Sequence, residues 1–341
     1  MVVVADFDGP QAGKFGLLVQ VFLASWMDHR GASRDWPVHV VSIGEPPAAV
    51  VSMARRAGAA IVRVPPLILN PKRTSNKIRG LEIAAQTGRI VMLDADTLVL
   101  HDLAPLVAFT RDAIGVSSLT ANHFPESTWR RMYEVVGVPY PGPTGACWAR
   151  DPRIAAARGL TEPQRRLTHV SPPYFHSGVI VTPEPGRLAA RWQAHLAAVL
   201  PLFLGRAPLE DWGRAGLGDE HALATALESL RHEGARVVEI PRTFHARPVL
   251  LHAGTHTWQD FAILHYHSLL KPYASSVAEL GDLLYGRVWR AVRERLARRV
   301  GLRAIRSPVY RRVLARDAAA AEVFYRYLHH LYQAYLRDAG A

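Results

Sequence analysis

Short β-branched runs alternate with segments of helical periodicity over the first third of the chain, and this alternation limits the possible folds more than any other feature. Apolar runs typical of buried strands occupy residues 2–5, 38–43, 60–64 and 89–93. Between them, apolar side chains recur at helical spacing over residues 17–27, 48–57 and 81–86. Strands that alternate with helices form a parallel sheet covered by helices. The sequence therefore predicts an α/β fold with a mostly parallel central sheet and helices on both faces.

The later part of the chain is less regular. Proline and glycine are frequent in residues 121–175, which we expect to form an irregular insertion, mobile or shaping the acceptor side. Beyond it, the pattern predicts strands at 179–181 and 237–240 and helices at 188–200 and 220–230. Residues 274–341 have a helical pattern. We predict a catalytic domain over residues 1–273 and a helical C-terminal subdomain over residues 274–341.

The chain is basic, and the excess charge is concentrated near its C-terminus. There are 41 Lys and Arg residues against 29 Asp and Glu residues, a net charge of +12. Residues 275–341 hold 13 arginines and six acids, which is +7 of that excess. A helix over residues 284–299 would have an apolar stripe with arginine flanks, able to pack on its own domain or to lie on an anionic membrane. A non-enzymatic basic binding protein is the alternative, and nucleic acid is the less favoured partner.

Cysteine usage and hydropathy indicate the compartment. Cys147 is the only cysteine, which excludes an intramolecular disulfide and a cysteine cage for zinc. No apolar run approaches the ~20 residues needed to span a bilayer, and the first residues carry no secretion signal. We expect a cytoplasmic protein.

Two Asp-x-Asp triplets follow predicted strands. Asp94 and Asp96 interrupt a nearly continuous apolar segment, and burial of paired like charges costs several kcal/mol unless a cation or donors compensate. Such hard oxygen ligands suit Mg²⁺ or Mn²⁺, although a strand-end turn capped by aspartates fits equally well. Asp6 and Asp8 follow the first strand in the same way, and both pairs are expected beyond the carboxyl ends of parallel strands, in one cleft.

Three further segments hold candidate functional residues. His265 follows an apolar run, and Lys271 comes shortly after it; an imidazole could complete a metal site, and the ammonium could bind a phosphate. Small residues in His176-Ser177-Gly178 would allow a ligand to approach the backbone closely. Asp219 and Glu220 stand at a predicted helix start, where acids are favoured in any case and Asp219 could be the N-cap.

The order of these segments resembles glycosyltransferase family 8, the glycogenin-like and bacterial galactosyltransferase-like enzymes of the GT-A fold. The resemblance covers residues 1–273 and rests on five segments in the family's order: Ser75-Asn76-Lys77, residues 89–97, residues 175–179, residues 219–223 and residues 265–273. It implies a Rossmann-like GT-A domain that transfers a sugar from a nucleotide-sugar, UDP-linked by preference, with retention of configuration. The acceptor, whether a glycan, a lipid-linked glycan or a small molecule, is not indicated.

The resemblance also implies residue roles. It assigns Mn²⁺, or Mg²⁺ in its place, to Asp94, Asp96 and His265, and the phosphates to Lys271. Around the donor it implies Val4, Asp6, Asp8, Lys77, Asp94, His176, Ser177, Gly178 and Ser268. Asp219 or Glu220 would stabilise positive charge on the anomeric carbon, and whether Glu220 attacks covalently stays open.

The sequence departs from the family's pattern at several positions, and rival interpretations exist. His176 stands where Asn is usual, Ser268 where Gly is usual, Tyr273 where Trp is common and Glu220 where Gln is common. Residues 2–10 also resemble the first motif of haloacid-dehalogenase-type phosphatases, but Gly218-Asp219 has no predicted strand before it and Asp94-Ala95-Asp96 lacks the expected glycine. A nucleotidyltransferase of related fold would need a glycine-rich basic loop after the first strand, and residues 9–16 are sparse in such residues.

Overall fold

The computed structural model describes residues 1–9, 12–69, 73–85, 88–122, 124–145, 147–204, 218–247, 250, 253 and 261–265. The strands found there are β1 (Val2–Asp6), β2 (Val38–Ile43), β3 (Ala59–Val64), β4 (Ile90–Asp94), β5 (Thr97–Val99), β6 (Ile114–Ser118), β7 (Phe175–Thr182), β8 (Val237–Glu239), β9 (His245–Ala246) and β10 (Ile263–His265). Seven of them form a central sheet in the order β3-β2-β1-β4-β7-β6-β8. Only β7 pairs antiparallel with its neighbours in this sheet. A second sheet has the order β5-β10-β9.

Helices connect the strands and cover both faces of the central sheet. They are α1 (Ala12–His29), α2 (Ala48–Ala57), α3 (Lys77–Ala84), α4 (Ala104–Phe109), α5 (Glu126–Val135), α6 (Pro152–Arg158), α7 (Glu162–His169), α8 (Pro185–Val199), α9 (Pro201–Leu204) and α10 (Gly218–His232). In the part of the chain described, none of them is long and apolar enough to cross a membrane.

Successive residues of the central strands point into two different apolar layers. In β4, Val91 and Leu93 pack with α1, α2 and the second sheet, whereas Ile90 and Met92 pack with α3, α8 and α10. A strand covered on both faces must be apolar at every position, because neither face meets water. This explains why the central strands β1 and β4 are continuous apolar runs up to their terminal aspartates, and the seven-stranded sheet confirms the predicted α/β fold class.

Residues 121–175 are more regular than the sequence predicted. They contain α5, α6 and α7, and Trp129, Met132 and Tyr133 of α5 are fully buried in a third apolar cluster. The stretch is therefore partly helical where the sequence predicted irregular structure, and its mobility or its role in shaping the acceptor side stays a prediction. Two of its prolines lie at helix starts: Pro152 follows the N-cap Asp151, and Pro163 lies in the first turn of α7, where a capping box joins Thr161 to Gln164.

Several helix boundaries also differ from the predicted ones. Helix α1 begins at Ala12 rather than at residue 17, and α3 spans Lys77–Ala84 rather than residues 81–86. Helix α10 begins at Gly218, so Asp219 lies inside its first turn and is not the N-cap. The predicted C-terminal subdomain, residues 274–341, lies outside the described residues.

Candidate active site

Two acidic residues lie at the carboxyl edge of the central sheet. Asp94 is the last residue of β4, and Asp96 precedes β5, so a sharp turn carries the chain from the central sheet into the second one. Parallel pairing places Asp94 opposite Val4 of β1, so that Asp6, two residues later, ends its strand at the same edge. Both side chains of the Asp94–Asp96 pair are largely shielded, at 15% and 18% exposure.

The second sheet brings His265 to these carboxylates. Antiparallel pairing of β10 with β5 sets His265 opposite Thr97. Its Nε2 lies 3.0 Å from Asp96 Oδ1 and 3.8 Å from Asp94 Oδ2, and the side chain is fully buried. One ligand atom from each of the three residues lies within 4.8 Å of the others. Two carboxylates and an imidazole in this arrangement fit a divalent cation such as Mn²⁺.

Lys77 joins this acidic pair to β7. As the first residue of α3, it donates from Nζ to Asp94 Oδ2 at 2.8 Å and to Ser177 Oγ at 2.9 Å. Burial opposes its charge, but the carboxylates of Asp94 and Asp219 outweigh that effect and raise the pKa of Lys77 above its usual value. The lysine is therefore a permanent cation among acidic side chains, and it shields the repulsion between them.

The acid pair of α10 faces the same region. Trp192 Nε1 donates to the backbone oxygen of Asp219 at 2.8 Å, which anchors the first turn of the helix. His221 is fully buried on another side of that turn, with ring centroids 4.7–5.5 Å from those of Phe124, Trp129, Tyr174 and Phe203. These contacts hold the backbone that carries Asp219 and Glu220.

Burial makes both acids of this pair hard to ionise. It raises the pKa of Asp219, against the opposing effect of Lys77. Burial and the neighbouring carboxylate of Asp219 raise the pKa of Glu220 to about 8. Paired acids with raised pKa values in a shielded site are typical of catalytic positions, although structural networks produce such shifts too.

The start of β7 packs imidazole rings around Gly178. A Cβ atom at this position would lie 2.5 Å from His265 Cε1 and 2.6 Å from His176 Cε1. The two rings therefore require a small residue at this position, and close approach of a ligand to this backbone stays a prediction. His176 Nε2 also lies 3.4 Å from Glu220 Oε1, so two positions that depart from the family 8 pattern are in contact.

Two site residues, His245 and Arg247, had no signal in the sequence. His245 lies on β9, next to β10, and its ring centroid is 5.6 Å from that of His265. Its Nδ1 is 2.7 Å from Ser117 Oγ. Arg247 donates to Thr120 Oγ1 at 3.0 Å, and its positive charge favours the ionised form of Glu220. The pairing of β9 with β10 and these two contacts bring this segment into the site.

Asp6 serves the site's framework. Its Oδ1 accepts from the Asp8 backbone N–H at 3.1 Å, and Asn76 Nδ2 donates to its Oδ2 at 2.8 Å. Arg73 Nη2 donates to Oδ1 at 3.2 Å, and Arg73 Nε lies 2.6 Å from Oδ2 as part of the same ion pair. Asp6 thus accepts three hydrogen bonds and is paired with a guanidinium. Arg73 and Asn76 were not among the predicted site residues, and Arg73 has a left-handed backbone with φ +57°, which a non-glycine residue adopts rarely.

The structure thus brings together most of the predicted site residues. Lys77, Asp94, Asp96, Ser177 and His265 are linked by contacts, as are His176 and Glu220. Asp8 is exposed and lies 3.8 Å from Arg73. Ser268 and Lys271 lie outside the described residues.

Comparison with protein families points to glycosyl transfer. The family model described as Rhodobacterales glycosyltransferase domain matches residues 33–200. The matched part contains Lys77, Asp94, Asp96 and His176. It ends before α10 and before strands β9 and β10 of the second sheet. The match supports a role in glycosyl transfer. No curated protein matches the chain in sequence.

Several solved glycosyltransferase structures are similar to this chain. The galactosyltransferase LgtC in complex with donor and acceptor sugar analogues is 15% identical over 78% of this chain and 86% of that chain, with a TM-score of 0.42. Mouse xyloside xylosyltransferase 1 is 12% identical over 78% of this chain and 96% of that chain, with a TM-score of 0.42. The bifunctional glycosyltransferase WbbM is 12% identical over 78% of this chain, with a TM-score of 0.42, but only 45% of WbbM is covered. The chain therefore spans less than half of WbbM.

Proposed function

We propose that this chain is a metal-dependent glycosyltransferase that uses a nucleoside diphosphate sugar, UDP-linked by preference. The observation that carries the proposal is the convergence of Asp94, Asp96 and His265 at the carboxyl edge of the sheet. Ligands of open α/β sheets bind at this edge. The family match over residues 33–200 supports the choice of glycosyl transfer among the reactions that such a site allows.

The residue types suit cleavage of a sugar–diphosphate bond. That cleavage develops negative charge on the leaving phosphate and positive charge on the anomeric carbon. A cation held by Asp94, Asp96 and His265, Mn²⁺ or Mg²⁺, would supply the charge that neutralises the diphosphate. Lys77 lies beside these ligands, and Lys271 is proposed to bind the same phosphates. Asp219 or Glu220, in its ionised form, would stabilise the developing positive charge.

Finer features of the reaction are proposed from the resemblance to family 8. These are retention of configuration, a hexosyl donor, and a nucleotide base held near Val4 and the first strand. Because Asp6 already accepts bonds from Arg73 and Asn76, we assign it the support of that strand edge rather than direct contact with the base. Its burial and its ion pair with Arg73 also argue against a phosphatase that would use Asp6 as nucleophile. The proposed setting is the cytoplasm, with the basic C-terminal segment able to contact anionic lipid.

Calorimetry and a hydrolysis screen test this function. The wild-type protein with Mn²⁺ should bind UDP and should hydrolyse one of a panel of UDP-, GDP- and ADP-sugars slowly, releasing nucleoside diphosphate. Asp96→Ala should weaken Mn²⁺-dependent nucleotide binding by about 100-fold. Asp112→Ala is the matched control, because this exposed carboxylate precedes β6 at the opposite edge of the sheet. Release of pyrophosphate would indicate a nucleotidyltransferase instead, and absence of nucleotide binding would refute the proposal.

A further inference from the structure

His176 and Glu220 form a shielded pair whose members come from different elements. His176 is the second residue of β7, and Glu220 lies in the first turn of α10. Their side chains are only 5% and 16% exposed, and Nε2 of the histidine lies 3.4 Å from Oε1 of the glutamate. A contact so shielded from water is screened little, so it can influence the orientation of the carboxylate.

The backbone determines which nitrogen of His176 carries the proton. The Gly178 N–H donates to Nδ1 at 2.8 Å, so the lone pair of Nδ1 is in use. A proton on Nδ1 would point at that N–H, and the proton of the neutral ring must therefore sit on Nε2. This places a hydrogen-bond donor at the atom that faces Glu220.

The same geometry excludes His176 as a metal ligand. His176, His245 and His265 together offer nitrogen atoms within 4.8 Å of one another, a spacing that a metal ion could bridge. However, the Nδ1 of His176 accepts from Gly178, and its Nε2 carries the proton. Neither nitrogen has a free lone pair, so the ring serves another purpose.

We propose that His176 is a positioning residue that holds one carboxylate oxygen of Glu220 and thereby directs the other oxygen toward the reacting sugar. The inference rests on the proposed function and assigns the pair to the anomeric carbon. The backbone of Glu220 is anchored through Trp192 and His221, so the side-chain torsions are what remains to be fixed. The His176 Nε2–H group, whose tautomer is set by the Gly178 N–H of β7, fixes these torsions without placing a full positive charge beside Glu220.

The test separates this role from simple packing by its kinetics. His176→Leu removes the donor and keeps an apolar side chain, whereas His176→Gln restores an N–H group. With Mn²⁺ and the donor that the wild-type protein hydrolyses, we expect His176→Leu to lower kcat by about 100-fold and to leave KM unchanged, because misplacing a catalytic group has this effect. His176→Gln should recover most of the loss. His195→Leu is the control: this histidine is equally buried but contacts Thr225 between α8 and α10.

Nitrogen NMR of histidine-labelled wild-type protein gives a readout that does not depend on activity. We expect the His176 resonances of a neutral ring protonated at Nε2. A ring protonated at Nδ1 would overturn the inference even in an active enzyme. Full kcat in His176→Leu, or an equal loss in His195→Leu, would overturn it as well. Absence of turnover in the wild-type protein would refute the proposed function and the role of His176 together. Wild-type turnover that is unchanged in His176→Leu would refute only the role of His176.

Discussion

Nε2 of His265 lies 3.0 Å from Oδ1 of Asp96, although the two residues are far apart in the sequence. The pairing of β10 with β5 brings them together, since it sets His265 opposite Thr97, the residue that follows Asp96. A hydrogen-bonded strand pair defines this relationship more rigidly than two loops would. The site is thus organised by a small sheet attached to the edge of the large one.

His265→Ala should weaken Mn²⁺ binding by at least about 100-fold, because it removes one of three converging ligands. Titration calorimetry of the full chain with Mn²⁺ alone measures this directly. His195→Ala, another buried histidine, should bind Mn²⁺ like the wild-type protein. Equal affinities in His265→Ala and wild type would contradict the metal assignment.

Glu220→Gln should stabilise the protein at high pH. Burial and Asp219 raise the pKa of Glu220 from 4.5 to about 8, so the folded protein binds this proton more tightly than the unfolded chain does. The stability associated with that proton is present below pH 4.5 and is lost as the pH rises to about 8. At pH 9 the Tm of the variant should exceed that of wild type by about 3 °C, the effect of roughly 1 kcal/mol.

Thermal unfolding from pH 4 to pH 9 measures this difference. Other groups also titrate, so the difference between the two proteins is the relevant quantity. The groups that face Glu220 are unchanged in the variant: Asp219, Arg247, Lys77, Asp94 and His176. Parallel Tm curves across the whole range would show that folding does not raise the pKa of Glu220.

Gly178→Ala should disturb the metal site through the imidazole rings. The added methyl group would stand 2.5 Å from His265 Cε1, so the ring must move. We expect a loss of about 1–3 kcal/mol in unfolding free energy, as for other overpacked cores, together with weaker Mn²⁺ binding. Chemical denaturation and calorimetry measure the two effects. Gly186→Ala is the comparison, since its methyl group meets only Ala85, at 3.0 Å or more, and should leave Mn²⁺ affinity unchanged.

Asp6→Asn should lower stability, whereas Asp8→Asn should not. Asp6 is buried and binds Arg73 and Asn76, and loss of its charge removes charge-assisted bonds worth about 2 kcal/mol in total. Asp8 is 65% exposed and lies 3.8 Å from the same arginine, a contact of little energetic value. Urea unfolding of the two variants gives the comparison. Equal stabilities would mean that the Arg73–Asp6 pair contributes nothing to the fold.

The sequence by itself determined the fold class and the kinds of side chain that form the site. Continuous apolar runs such as Ile90–Leu93 require burial on both faces, and the alternation with helices then leaves few arrangements other than a covered, mostly parallel sheet. Asp94 and Asp96 stood out for the same reason, because charges at the end of such a run need compensation. These features are local, and local patterns can be recognised in a single chain.

Tertiary structure decided several contacts that no pattern in the sequence indicated. The pairing of β9 with β10 introduces His245, and the approach of α10 to β7 sets Glu220 beside His176. The proton on His176 depends on a backbone N–H two residues along β7, and the restraint on Asp6 depends on Arg73 and Asn76. None of these contacts produces a periodic pattern in the sequence that could be detected. Contacts between distant segments follow from how whole elements pack, and side-chain patterns within one element do not contain that information.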